Sequence, residues 1–183
     1  MADWLGRLRR QLGVWRGEAH TDEAIVGRLR ARGVRIGEGC RIYSTEFSTE
    51  PYLVTIGDGV AVAGGVKFLT HDGAARLRRS HRPDIQFLGR IEVGANSFIG
   101  ENAILLPGTT IGKDCIIGAG AVVRGIIPDN SLVAGNPAEI VGRASLFLDR
   151  LERSANTLDT FSLPEPRRRA AILAHFGIQD RSL

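Results

Sequence analysis

Aliphatic residues recur at every sixth position between Ile91 and Ala138: Val93, Ile99, Leu105, Ile111, Ile117 and Val123. Glycine follows four of them, at Gly94, Gly100, Gly112 and Gly118, and small or slim residues sit four places on at Ser97, Ala103, Thr109, Cys115 and Ala121. A fixed period must be explained before any other feature. An α-helix does not explain it, because at about 100° per residue a six-residue period sets successive aliphatics roughly 240° apart and scatters them around the axis. Extended chain does: even offsets put the aliphatic and the small residue on one face and the polar positions on the other. A strand one hexapeptide long buries too little to stand alone, so the units must stack.

An earlier block carries the same period. It begins at Val34-Arg35-Ile36-Gly37, runs through Ile42, is interrupted from Thr45 to Tyr52, and resumes at Ile56-Gly57, Val62 and Phe68, with Val60 and Val66 inward. Between the blocks, over 73–90, the period vanishes and Arg, Ser, His, Pro, Gln and Gly take over, which reads as an excursion loop. A long structureless insertion in a strict repeat is usually functional. After Val123 the register slips at Ile127-Pro128-Asp129-Asn130, recovers at Val133-Ala134-Gly135 and ends at Asn136-Pro137, where proline has no N–H for a further rung. The glycines read as turn punctuation.

Both ends read as helix. Trp4, Leu5, Leu8 and Leu12 share one helical face, and Thr21-Asp22-Glu23 opens a second segment carrying Ile25, Val26 and Leu29. A cap on the open end of the stack is the expected role, with contact to a membrane surface as the alternative for a basic, Trp-bearing helix. Ala144 to Leu158 reads as helix through Leu146, Leu148, Leu151 and an Asp149–Arg153 pair, and a shorter helix follows Pro164 and Pro166. The expected organisation is a helical cap at 1–33, a repeat domain at 34–143 and a helical segment at 144–183.

The period resembles that of the hexapeptide-repeat acyltransferases. That resemblance implies an all-β solenoid, a left-handed parallel β-helix in which three strands, about eighteen residues, close each triangular rung. Val93 is then expected on Ile111, Ile99 on Ile117 and Leu105 on Val123. Within that family, Glu50-Pro51-Tyr52-Leu53-Val54, Ile56-Gly57-Asp58, Thr70-His71-Asp72-Gly73 and Val133-Ala134-Gly135-Asn136-Pro137-Ala138 look like the xenobiotic and sugar acetyltransferase-like proteins. The likeness covers roughly residues 34 to 143.

Composition adds little that conflicts. Aromatics are 6% of 183 residues, which suits a narrow prism filled by Ile, Val, Leu and Ala. The net charge is +4, carried almost wholly by arginine in clusters that include Arg76 to Arg82, without a nucleic-acid-binding motif or a basic stripe interleaved with aromatics, so anionic small molecules or solvated helix faces are expected rather than a nucleic-acid partner. Cys40 and Cys115 both fall on small inward positions and read as packing residues without a disulfide. With no secretory pattern and no long apolar run, a cytoplasmic location is expected.

Of the histidines His20, His71, His81 and His175, His71 stands where the strand pattern ends and the excursion loop begins. The resemblance implies that it is the general base of direct acyl transfer, and the chemistry agrees, since an attacking alcohol or amine must lose a proton and imidazole titrates near the working pH. No cysteine nucleophile is needed. Asp72 is adjacent and could orient the imidazole, but neighbours on a strand point to opposite faces, so it could instead cap the loop; Glu50 or a backbone carbonyl competes as orienter. His81 is expected to be solvated.

The resemblance implies acetyl-CoA as co-substrate, with Glu101, Ala119, Arg124 and Gly125 matching positions that contact CoA and Arg143 as the basic residue after the last rung. Ile117-Gly118-Ala119-Gly120-Ala121 offers a flat, small-residue groove for the pantetheine arm, while the phosphates call for cations. The chain departs from the usual Val-Thr-Lys-Asp-Ile-Pro at Val123-Arg124-Gly125-Ile126-Ile127-Pro128, and Glu139 sits where a base is common. The expected activity is acetyl transfer to a hydroxyl or amino group of a sugar or glycan precursor, by a homotrimer and without a metal. Two alternatives share the fold: a γ-carbonic-anhydrase-like metalloenzyme, for which His71 and His81 leave the three-histidine set incomplete, and a solenoid without catalysis.

Overall fold

The structure, a computed structural model, describes residues 23–180. The helix expected around Trp4 to Leu12, the cap signal at Thr21-Asp22 and His20 lie outside them.

Residues 21–149 form one compact unit, of which the described part starts at Glu23. Helix α1 (Glu23–Ala31) opens it and turns Val26 and Leu29 into the core. A five-stranded sheet follows the order β1 (Arg35–Ile36), β4 (Val54–Ile56), β9 (Ile91–Val93), β12 (Thr110–Ile111) and β15 (Ile126–Ile127). A second face stacks β2 (Arg41–Ile42), β5 (Ala61–Val62), β10 (Phe98–Ile99), β13 (Ile116–Ile117) and β16 (Ser131–Gly135), and a third stacks β3 (Glu46–Phe47), β6 (Lys67–Phe68), β11 (Ile104–Leu105) and β14 (Val122–Val123). All pairs within these stacks are parallel, and the chain visits the faces in turn, which is a parallel β-helix.

The expected register is the observed one: Val93 pairs with Ile111, Ile99 with Ile117 and Leu105 with Val123. Ile99, Leu105, Ile117 and Val123 are fully buried, and each such side chain contributes about 1.5–3 kcal/mol. The small inward positions also link rungs. Ser97 Oγ donates to the Gly112 carbonyl at 2.9 Å and accepts from the Cys115 N–H at 3.1 Å, while Cys40 and Cys115 are buried free thiols directed at the Gly57 and Pro128 carbonyls.

The glycines after the aliphatics do more than punctuate turns. A Cβ on Gly94 would stand 2.5 Å from the Gly112 backbone, and one on Gly100 2.6 Å from the Ala119 nitrogen, so glycine lets successive rungs approach. The left-handed corner residue is often not glycine: Asn96, Asn102, Asp114 and Asn130 hold φ of 55–58°. Asn and Asp tolerate that conformation best among side-chain-bearing residues.

Three expectations need correction. The 73–90 stretch is not structureless: β7 (His71–Asp72) pairs antiparallel with β8 (Phe87–Leu88), and Gly73–Arg78 is a 3₁₀ turn. The coil does not simply stop at Pro137, because β17 (Ala138–Arg143) folds back antiparallel on β16. It therefore covers the open edge of the second face. Helix α2 (Ala144–Glu152) ends before the expected Leu158.

Residues from Arg150 onward belong to a second compact unit. Its described part, 150–180, contains α3 (Glu165–His175) and a two-pronged Arg169–Asp180 ion pair at 2.9 and 3.0 Å.

Candidate active site

His71 is placed by register. Phe47 pairs with Phe68 at the end of the third face, and their rings stack 4.3 Å apart. Carried forward three residues, that pairing sets Glu50 beside His71. Ser48 stays in step, its N–H donating to the Phe68 carbonyl and its hydroxyl accepting from the Thr70 N–H. The interruption from Thr45 to Tyr52 thus positions a carboxylate rather than merely breaking the repeat.

Glu50 Oε2 lies 3.0 Å from His71 Nδ1. Thr70 Oγ1 donates to the same oxygen at 3.0 Å, and Thr49 Oγ1 donates to Oε1 at 2.6 Å. The Thr49 hydrogen bond, with those from His71 and Thr70, holds the carboxyl below its usual range against the opposing effect of burial. An ionised carboxylate only accepts, so neutral His71 must carry its hydrogen on Nδ1 and leave Nε2 with a free lone pair. The Glu50 side chain is 16% exposed and the His71 side chain 43%: one is fixed and the other can meet a substrate.

The Asp72 side chain turns to the loop. Its carboxylate accepts from the Ala74 N–H at 2.8 Å and caps the 3₁₀ turn, as strand alternation allows. His81 is exposed on the loop.

Two clefts meet at His71. The larger, about 870 Å³, is lined by Leu69, Leu106, Pro107, Phe87, Arg82 and Arg124 among others. The smaller, about 240 Å³, runs past Thr49, Glu50, Arg76 and Arg79. The residues matched to CoA do not share one edge of the coil. Arg124 and Gly125 follow β14, on the edge that carries His71. Glu101 and Ala119 lie in the stacked corners after β10 and β13, where the Gly120 N–H donates to the Glu101 carbonyl at 2.8 Å. Arg143 ends β17 opposite Ser131.

Ala119 and Gly120 are exposed, and the space beyond the Gly120 Cα is open. Among the described residues no group of three His, Cys, Asp or Glu side chains is placed to hold a metal ion, and no helix is long and apolar enough to cross a membrane. Thr49, Thr70, Arg76, Arg79 and Arg82 were not evident as site residues from the sequence. The aromatic pair Phe47 and Phe68 was the available signal for the first two, since it fixes the register that brings Thr49 and Thr70 together.

Comparison with known proteins gives the following likenesses. Residues 90–125 match the family model for the bacterial transferase hexapeptide (six repeats). Protein CapG of Staphylococcus aureus is 41% identical over 132 residues, which cover 70% of this chain and 77% of that protein. The putative lipopolysaccharide biosynthesis O-acetyl transferase WbbJ of Escherichia coli K12 is 33% identical over 57% of this chain and 61% of its own length. A crystal structure of the hexapeptide-repeat-containing acetyltransferase VCA0836 from Vibrio cholerae, complexed with acetyl coenzyme A, superposes with a TM-score of 0.52 at 28% identity, covering 61% of each chain. The chain therefore spans most of CapG but less than two-thirds of the other two.

Proposed function

The chain belongs to the hexapeptide-repeat acyltransferases, whose fold is the left-handed parallel β-helix, and from that premise we propose that it moves acetyl from acetyl-CoA to a sugar or glycan precursor with His71 as general base. The observation that carries this reading is the Glu50–His71 pair where two clefts meet. Glu50 holds the Nδ1–H tautomer, and Nε2 takes the proton from the acceptor hydroxyl or amine as its oxygen or nitrogen forms the new bond to the acetyl carbon. The carbon–sulfur bond breaks, and the imidazolium returns its proton to the departing sulfur. The thioester supplies the electrophile. The chain's own contribution is position and proton transfer.

Ala119, Gly120 and Glu101 are the residues offered to the pantetheine arm, and Arg124 and Arg143 the cations offered to the phosphates. Their distribution over more than one edge supports a homotrimer in which one copy's Ala119 edge faces the next copy's His71 edge. The name of WbbJ supports a glycan acceptor.

The test is acetyl-CoA consumption by purified protein against a panel of sugars, amino sugars and chloramphenicol-like alcohols, with sedimentation velocity on the same sample. The expected results are turnover with at least one sugar and a trimer. Absence of both turnover and CoA binding would refute the enzymatic reading, and a concentration-independent monomer would refute the assembly.

A further inference from the structure

The clefts at His71 are unbalanced in charge. Arg76 and Arg79 line the smaller one, and Arg82 and Arg124 the larger. Against these four guanidiniums stand two carboxylates, Glu50 and Asp72, and both are engaged: Glu50 by Thr49, Thr70 and His71, Asp72 by the Ala74 N–H. Among the described residues none of the four guanidiniums has an ion-pair partner. Solvated arginines on an outer face would be unremarkable, but these line concave surface. There, one sign of charge focuses the field and draws a ligand of the opposite sign.

We propose that the acceptor is anionic, and that Arg76 and Arg79 hold its carboxylate or phosphate in the smaller cleft while a hydroxyl or amine of the same molecule reaches His71. The inference rests on the acyl-transfer reading of this site and adds the chemical class of the acceptor. It assigns the two arginines to the acceptor rather than to the CoA phosphates for a geometric reason. They flank Thr49 and Glu50, whereas the coil cation matched to CoA, Arg124, lines the other cleft beside Leu106 and Pro107. A base serving two substrates stands between them, so the side of His71 away from Arg124 is the acceptor's. A cleft of about 240 Å³ admits one charged substituent and part of a ring. The guanidinium fork suits carboxylate and phosphate alike.

The experiment is titration calorimetry of the full chain, with CoA present, using methyl α-D-glucoside, D-glucuronate and α-D-glucose 1-phosphate as probes. CoA affinity is measured separately. At least one anionic probe should bind tenfold or more tightly than the neutral glycoside, and which of the two does so distinguishes a carboxylate-bearing from a phosphate-bearing acceptor. In Arg76→Gln/Arg79→Gln that preference should fall at least tenfold while CoA affinity stays within twofold. Arg76→Lys/Arg79→Lys, which keeps charge but not the fork, should retain part of it. Equal binding of neutral and anionic probes, or a double variant that weakens CoA instead, would overturn the proposal and leave acyl transfer standing. Failure of the wild-type chain to bind CoA would overturn both.

Discussion

Replacing Glu50 by glutamine tests the site at its narrowest point. The amide is nearly the same size; its single carbonyl oxygen accepts from one of Thr49 and Thr70, and the other hydroxyl can turn to accept from the amide N–H, so the coil should fold. What disappears is the charge that fixes the His71 tautomer and, on the proposed mechanism, would stabilise the imidazolium formed during transfer. A hydrogen bond to a charged group contributes about 1.5–3 kcal/mol, or roughly 10- to 150-fold in rate at 1.36 kcal/mol per decade. Because the imidazole is 43% exposed, water replaces part of the lost interaction, and the lower half of that range, about 10- to 50-fold in kcat, is expected. The acetyl-CoA KM should stay within twofold. Initial rates across a matrix of both substrates separate these quantities. An unchanged kcat, or a loss confined to the acetyl-CoA KM, would refute the assignment of Glu50 as a positioning residue. Stability gives a second readout with a fixed sign. Folding lowers the Glu50 pKa below its ordinary 4.5, so its contribution is present above that pH and is lost as pH falls through the folded-state value. The Tm advantage of wild type over Glu50→Gln should therefore shrink on acidification below about pH 4.5. A gap unchanged down to about pH 3 would contradict the hydrogen bonds described.

Other expectations follow from the same geometry. His71→Ala should lower turnover by about 10²- to 10⁴-fold while CoA still binds, and His81→Ala should do far less; the reverse order would move the base into the loop. Ala119→Trp should raise the CoA Kd while circular dichroism and Tm stay at wild-type values, and unaltered CoA binding would remove that corner from the site. Gly100→Ala, whose Cβ would meet the Ala119 nitrogen at 2.6 Å and the Ile117 oxygen at 2.7 Å, should cost about 1–3 kcal/mol in denaturant unfolding. Leu105→Ala, at a fully buried position between Phe68 and Val123 on the third face, should cost about 2–5 kcal/mol by the same measurement.

The rungs were legible because one pattern, an aliphatic every six residues, specifies strand, inward face and stacking partner together. Val93, Ile99 and Leu105 found their partners for that reason. The irregular rungs were legible only as breaks, at Thr45 to Tyr52 and at Ile127, and not as pairings. Ile42 pairs with Val62, twenty residues on, and Thr110 with Ile126, sixteen on, because corners absorb insertions and deletions while the strands stay in step. The β7–β8 pair hid because its four residues carry no apolar alternation, and all are exposed. At the site, proximity in sequence favoured Asp72, while strand alternation and the Phe47–Phe68 pairing favoured Glu50. The sequence could name Glu50 only as one competing orienter; the register one coil away is what sets it beside His71.

The excursion leaves the coil without disturbing it. Ile56 pairs with Val93 and Phe68 with Leu105 as if nothing intervened, and the loop re-enters at Gly89, where a Cβ would stand only 2.3 Å from the Gly108 nitrogen. On the proposed reading, stability and selectivity would then reside in separate segments. The prism keeps His71 and Glu50 in fixed relation, while the segment from Gly73 to Leu88 can change length, charge or aromatic content at little cost to folding. A graft of that segment from a relative with another acceptor should exchange selectivity as a cassette, provided the glycine at the return point travels with it.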